Sequence, residues 1–116
     1  MNTELNERIA LEVMGYVRER GYIKRPEDSE YTHVRFIPNY SGDIAAAWLV
    51  VEELEKHGIY LTLEIEHNRA MATFTKPLVA RYFIASPTAP LAIAWAATGI
   101  AAKVRDICEK LKVRVT

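Results

Sequence analysis

The amino-acid sequence predicts an α+β fold in which three helices are layered on a small, mainly antiparallel sheet. Three segments repeat apolar residues at helical spacing, and three consecutive strand-like segments are separated by short turns. The chain has 116 residues, of which 50% are hydrophobic and 26% are charged, as in an ordinary globular domain. We therefore expect one domain, residues 1–116, with an irregular surface loop at about 22–32.

The first predicted helix begins at Thr3, a suitable N-cap, and ends at Gly21, a typical helix stop. The polar stretch Tyr22–Thr32 follows as a surface loop. A short extended piece containing Val34 then ends at Pro38. The apolar stripe of the first helix is formed by residues three and four positions apart: Leu5, Ile9, Val13, Tyr16 and Val17.

The second predicted helix begins at Ser41, whose hydroxyl can cap it, and Asp43 adds negative charge at the positive end of the helix dipole. His57 and Gly58 are expected to close it. Its predicted buried stripe consists of Ile44, Ala45, Ala47, Trp48, Val51 and Leu54.

Three strands are predicted next, at Ile59–Glu66, Arg69–Thr75 and Leu78–Ala85, with His67-Asn68 as the first turn. In the first of them Ile59, Leu61, Leu63 and Ile65 share the face expected to be buried. The third strand is apolar on both faces apart from Arg81 and Tyr82, a pattern typical of a central strand or of one covered by another layer.

The last helix is capped by Thr88 and runs from Leu91 to about Lys110. It is apolar nearly all round, which predicts burial on more than one side, and Cys108 is expected to be a buried thiol. Small residues at Ala92, Ala96 and Gly99 would let another backbone approach closely. This helix is therefore the expected interface of a homo-oligomer, a dimer or larger.

Charge and cysteine content exclude several classes of protein. Basic and acidic residues number 15 each, so the chain lacks the basic excess that binding to long nucleic acid requires. No charge-free run reaches the roughly 18 residues of a membrane span. The single cysteine and the lack of a signal-like N-terminal segment favour a cytoplasmic protein of a bacterial host.

Catalytic motifs are not found. The chain has no phosphate-binding loop, nucleophile elbow or paired-cysteine motif, and His33, His57 and His67 lack the convergent spacing of metal ligands. Glu64 and Glu66 lie on one strand face together with Tyr60. Carboxylate pairs for acid–base catalysis usually come from different elements that face a cleft, so a solvated sheet face is the favoured interpretation. We expect no catalytic residues, metal or cofactor.

Two clusters could bind a small anion, because each precedes a helix whose free N–H groups attract negative charge. The cluster before the last helix contains Arg81, and burying the charge of Arg81 unpaired in an apolar strand would be costly. Arg81 could instead pair with an acidic residue in this or a neighbouring subunit, and both clusters could be helix caps only. The first cluster is Arg35, Phe36, Asn39, Tyr40 and Ser41, and the second is Arg81, Tyr82 and Thr88.

The sequence resembles the phage ABA sandwich domain family, small proteins of phages and prophages whose name implies helix layers enclosing a sheet. The chain departs from the family pattern at Arg18–Tyr31, which is charged where typical members are rich in tryptophan. The resemblance rests on three runs: Leu5-Asn6 with Ile9-Ala10 and Val13-Met14-Gly15, then Tyr40 to Trp48 with Val51-Glu52, and Thr88 to Ile93.

By analogy with small oligomeric phage proteins of this kind, the resemblance implies a sponge that sequesters the cyclic nucleotide or cyclic ADP-ribose type signals of CBASS or Thoeris immunity without cleaving them. Arg35 and Arg81 would then neutralise phosphate. Tyr40, Phe36 or Tyr82 would stack on a base, while Asn39, Ser41 and Thr88 would supply hydrogen bonds.

Two other functions stay open. The chain could be an interaction module that inhibits a host protein through the Tyr22–Thr32 loop. It could also be a nucleotide-cleaving enzyme that uses Glu64 or Glu66.

Overall fold

Three helices and two three-stranded antiparallel sheets make up the fold in the computed structural model, which describes residues 2–25 and 27–115, with side chains to residue 109. The predicted α+β class is confirmed, and the arrangement is consistent with an ABA sandwich. The sheets have the orders β1-β2-β3 and β4-β5-β6. In chain order the elements are α1 (Thr3–Glu12), β1 (Val17–Glu19), β2 (Tyr22–Lys24), β3 (Thr32–His33), a 3-10 turn (Val34–Phe36), α2 (Ile44–Lys56), β4 (Tyr60–Glu66), β5 (Arg69–Lys76), β6 (Ala80–Ser86) and α3 (Ala89–Val115).

The predicted first helix is too long. α1 ends at Glu12, and Gly15 then adopts a φ of +77°, which takes the chain out of the helical region. Arg20 (φ +54°) and Gly21 form the turn between β1 and β2, so the first residues of the predicted loop are a strand. Pro26, in the middle of that loop, lies outside the described residues. The N-cap is Asn2, not Thr3, and its side chain accepts a hydrogen bond of 3.2 Å from the Leu5 N–H.

The predicted extended piece is a 3-10 turn at Val34–Phe36. The His33 side chain explains this difference, because its Nδ1 accepts a hydrogen bond of 3.1 Å from the Arg35 N–H and caps the turn. The Val34 N–H donates to the Gly21 carbonyl at 3.1 Å, which ties the turn to the β1–β2 hairpin.

The second helix is confirmed, but its N-cap and its buried stripe differ from the prediction. Asp43 caps α2, with its Oδ1 3.0 Å from the Ala45 N–H. Ile44 and Trp48 are exposed. Ala45, also predicted to be buried, is exposed. Ala46 and Ala47 face inwards and allow α2 to pack closely on α3. The buried side of α2 consists of Ala46, Ala47, Val50, Val51 and Leu54.

The three-strand meander is confirmed, with the first turn at His67-Asn68. On its inner face Leu61, Phe74 and Tyr82 form one cross-strand row. β6 is an edge strand and not a central one, and it is covered by α3 on this face. Ile65, predicted to be buried, is exposed near the end of edge strand β4.

α3 lies between the larger sheet and the two other helices, as its apolar composition predicts. Thr88 caps it, with its Oγ1 3.4 Å from the Leu91 N–H. Ala92 and Ala96 are buried, and a Cβ on Gly99 would overlap the Tyr82 ring. These small residues are thus used for packing within the chain, and a subunit interface through this helix stays a prediction.

Cys108 is exposed, contrary to the prediction of a buried thiol. The fully buried positions of α3 end at Ile100, and most described side chains beyond it face solvent. The C-terminal part of α3 therefore extends past the elements that cover its first half.

Candidate functional site

The cluster before α2 separates into a buried part and an exposed part, and Asn6 of α1 organises the buried part. The Asn6 Oδ1 accepts hydrogen bonds from the Ser41 N–H at 2.9 Å and from the Ser41 Oγ at 2.7 Å. The Asn6 Nδ2 donates to the Asn39 Oδ1 at 3.0 Å. The Asn39 carbonyl in turn accepts from the Gly42 and Asp43 N–H groups. Asn39 and Ser41, predicted to bind a ligand, therefore join α1 to the start of α2.

Tyr40 belongs to the same buried junction. Its residue surface is 1% exposed, and the ring is one of the largest fully buried side chains of the core. Burial raises the pKa of the Tyr40 hydroxyl well above its ordinary value of 10.0, and the neighbouring Tyr16 adds to the shift. The ring that was expected to stack on a base is enclosed by the protein.

Phe36 and Arg35 form the exposed part of the cluster. The Phe36 ring is 63% exposed, and the Arg35 guanidinium carbon lies 4.9 Å from its centroid. Phe36 lines an open cavity of about 210 Å³, and Arg35 lines an adjoining cavity of about 120 Å³. The larger of these, hereafter the Phe36 cavity, is bounded by Tyr16, Ile23, Lys24, Arg25, Asp28, Thr32, Phe36, Ile37 and Pro38.

Two cations line the Phe36 cavity beside the aromatic ring. Arg25 donates two hydrogen bonds to the Asp28 carboxylate, from Nε and from a terminal nitrogen, both at 3.1 Å. The hydrogen bond from Arg25 lowers the pKa of Asp28 below its usual value. The Lys24 Nζ donates to the Asp28 carbonyl at 3.1 Å and lies 5.5 Å from the Tyr31 ring centroid.

Lys24, Arg25 and Asp28 were not among the predicted site residues. In the sequence they fall in a segment that is predicted to be an irregular loop, where a charged run is ordinarily just solvated. The signal that could have identified them is the adjacent Lys24-Arg25 pair followed three residues later by an acceptor.

No residue of the second predicted cluster lines the two cavities beside Phe36 and Arg35. Arg81 is exposed, so the cost of burying its charge does not arise. Its carbonyl accepts a hydrogen bond of 2.9 Å from the Lys103 Nζ. Tyr82 packs on Gly99, and Thr88 caps α3, which leaves Arg81 as the exposed charge of this cluster.

Two other concave surfaces carry residues singled out by the sequence. Tyr22 and Tyr31 line an open depression of about 320 Å³ with Glu19 and Arg20. Glu64 and Glu66 line a space of only about 10 Å³, too small for a ligand, and Glu66 forms an ion pair of 3.5 Å with Arg69. Within residues 2–25 and 27–109, no three His, Cys, Asp or Glu side chains are grouped so that they could hold a metal ion.

Comparison with models of protein families identifies the family of this chain. The model of the phage ABA sandwich domain matches residues 7–98, most of the chain, and the protein belongs to this family of phage proteins. Searches of curated proteins and of solved structures gave no significant match. In the part of the chain that the structure describes, no helix combines the length and apolar character needed to cross a membrane.

Proposed function

We propose that this phage protein is a sponge that binds and sequesters a cyclic nucleotide or cyclic ADP-ribose type immune signal, without cleaving it, in the cytoplasm of an infected bacterium. The observation that carries the proposal is the Phe36 cavity, where an exposed aromatic ring lies beside two cations. A nucleotide needs both features, a flat apolar surface for the base and positive charge for the phosphate.

The size of the cavity sets how a ligand would be held. Pockets that enclose drug-sized ligands measure roughly 300–1,000 Å³, and the Phe36 cavity has about 210 Å³. It therefore takes one base-sized group against Phe36. The phosphates then lie at its rim near Lys24 and Arg25, and Arg35 approaches from the adjoining cavity.

Binding without cleavage is supported by the carboxylate that lines the cavity. Arg25 holds Asp28 in a bidentate pair that lowers the pKa of Asp28, which makes this carboxylate a weak general base. Glu64 and Glu66, the alternative catalytic carboxylates, lie on β4 and line no space that could hold a nucleotide.

A second function, inhibition of a host protein, is favoured by the depression beside Tyr22 and Tyr31. Both rings are exposed and lie near Arg20, and tyrosine and arginine are the residues enriched at protein interfaces. Tyr22 and Tyr31 belong to the Tyr22–Thr32 segment predicted for such a role, whereas Glu19 and Arg20 precede it.

Isothermal titration tests the lead proposal. The panel contains cyclic dinucleotides, cyclic trinucleotides and cyclic ADP-ribose isomers, and each ligand found to bind is recovered after denaturation and weighed by mass spectrometry. The proposal expects tight binding of one class and recovery of the intact ligand. No binding across the panel would reject the sponge, and recovery of a hydrolysed product would make the protein an enzyme.

A further inference from the structure

The face of the larger sheet turned away from the helices is aromatic at two positions. The inner rows are covered by α3, whereas Tyr60 and Phe83 point to the other side and are 54% and 61% exposed. On the central strand, Thr75 lies level with Tyr60 and Thr73 lies level with Phe83. We call this surface the outer face and define it by three cross-strand rows: Tyr60, Thr75 and Arg81; Thr62, Thr73 and Phe83; and Glu64, Met71 and Ala85.

Charges occupy opposite corners of the outer face. In the register of the sheet, Glu64 on β4 lies level with Ala85 on β6, and Tyr60 lies level with Arg81. Glu64 and Arg81 thus lie at the two ends of one diagonal. Among the described residues neither of them takes part in an ion pair within the chain.

Such a face is complementary to itself. We propose that a second copy of this chain packs on the outer face around a two-fold axis along the other diagonal. The two sheets then cross at close to a right angle, which is one of the two common modes of sheet packing. Glu64 of each copy meets Arg81 of the other, and Phe83 of each copy lies against the partner's central strand.

The charges of the outer face favour a second copy of this chain over a partner of another kind. Beyond the row of Glu64, the same side of the sheet carries Glu66 and Arg69, which form an ion pair with each other. Glu64 and Arg81 are then one acid and one base at opposite corners, and the whole chain has a formal net charge of zero, so two copies do not repel each other. A nucleic acid or another polyanion would require several cations on the face. Two exposed aromatic rings with complementary corner charges instead fit an isologous contact.

The area of the face sets the strength of the dimer. Three strands about 4.8 Å apart, over some 20 Å of length, give a flat surface on the order of 300 Å². A standard interface buries about 800 Å² per partner. The dimer is therefore weak, and its population depends on protein concentration in the micromolar range or above.

Sedimentation equilibrium over a range of concentrations measures this association directly. The mass of the wild-type protein rises with concentration from 13.2 kDa towards twice that value. Phe83→Lys weakens the dimer at least about tenfold, because it places a charge at the centre of a contact. Leu78→Lys, which also replaces a large exposed apolar side chain with lysine but lies in the turn before β6, leaves the association unchanged.

Exchanging the corner charges gives a sharper test of the geometry. Glu64→Arg and Arg81→Glu each weaken their own homodimer, since like charges then face each other. Mixed in equal amounts the two variants associate with each other, because both corner contacts are restored in the heterodimer.

Three results would overturn the proposal: a wild-type mass of 13.2 kDa at every concentration up to the millimolar range, association of Phe83→Lys at wild-type strength, or no gain on mixing the charge variants. Circular dichroism checks that each variant is folded. The inference does not depend on any ligand, so its failure leaves the sponge proposal standing.

Discussion

The segment 35–41 contains two regions of similar composition that the fold uses differently. Asn39, Tyr40 and Ser41 are enclosed at the junction of α1 and α2, where polar groups bond to Asn6 or lie in the core. Phe36, only three residues before Asn39, lies on an open cavity with cations beside it. Residue type alone did not distinguish a packing role from a binding role here; burial did.

The largest effect is expected at the centre of the buried region. Asn6→Ala removes three hydrogen bonds and leaves the Ser41 hydroxyl and N–H without their acceptor. Because unsatisfied buried groups cost about 1–3 kcal/mol each, we expect the free energy of unfolding to fall by about 2–4 kcal/mol. Urea denaturation measures this loss of unfolding free energy, and Arg8→Ala, on the exposed side of α1, is the control. Equal stability of both variants would show that the junction contributes nothing.

Gly42→Ala tests the same junction by crowding it. A Cβ on Gly42 would lie 2.5 Å from the Asn39 Nδ2, so the Asn39 side chain must shift away from Asn6. We expect a loss of about 1–3 kcal/mol in the free energy of unfolding, as in other overpacked sites. Gly21→Ala, where the added carbon meets open space, is the matched control. A Gly42 variant as stable as this control would contradict the described packing.

Tyr40 makes stability depend on alkaline pH. In the unfolded chain the hydroxyl ionises near its ordinary pKa of 10.0, whereas burial raises the pKa in the folded protein. The stability that the buried, protonated Tyr40 hydroxyl contributes is therefore fully present below pH 10, and it is lost as the pH rises towards the pKa of Tyr40 in the folded protein. The free energy of unfolding should fall with a slope approaching about 1.4 kcal/mol per pH unit.

Tyr40→Phe removes this dependence. At neutral pH we expect a change of about 0.5–1.5 kcal/mol in the free energy of unfolding, the range for one hydrogen-bonding group. Between pH 8 and 11 the variant should lose less stability than the wild type, which urea denaturation at the two pH values compares. Tyr60→Phe, altered on an exposed strand face, should behave as the wild type does. Identical alkaline losses in wild type and Tyr40→Phe would exclude Tyr40 as the source.

The C-terminal two-thirds of the fold was predictable because its patterns are local. Alternation in β4 and β5, the His67-Asn68 turn and the Thr88 cap each follow from a few neighbouring residues. The N-terminal third was not, because apolar spacing continues across Gly15 although the chain leaves the helix there. Which side of α2 is buried depends on the side that packs against α3. This tertiary contact leaves Trp48 exposed.

The candidate site was predicted only in part for the same reason. Phe36 and Arg35 were identified from chemistry next to a helix start, but Asn39 and Ser41 share that chemistry and are committed to Asn6. Lys24 and Arg25 lie at the cavity because β2 pairs with β3, which directly precedes the turn that carries Phe36. The Lys24-Arg25 pair is visible in the sequence, but its position beside the Phe36 cavity depends on this strand pairing, which a charged run does not indicate.

The most direct test of the account compares two variants of the 35–41 segment for both stability and ligand affinity. With whichever nucleotide the titration panel identifies, Phe36→Ala should bind at least about tenfold more weakly, since base stacking is worth about 1–3 kcal/mol, and should unfold at the wild-type urea concentration. Trp48→Ala, another exposed aromatic residue, should change neither property. Ser41→Ala should lose about 1 kcal/mol of stability and keep its affinity. Normal binding by Phe36→Ala together with loss of binding by a folded Ser41→Ala would contradict the account.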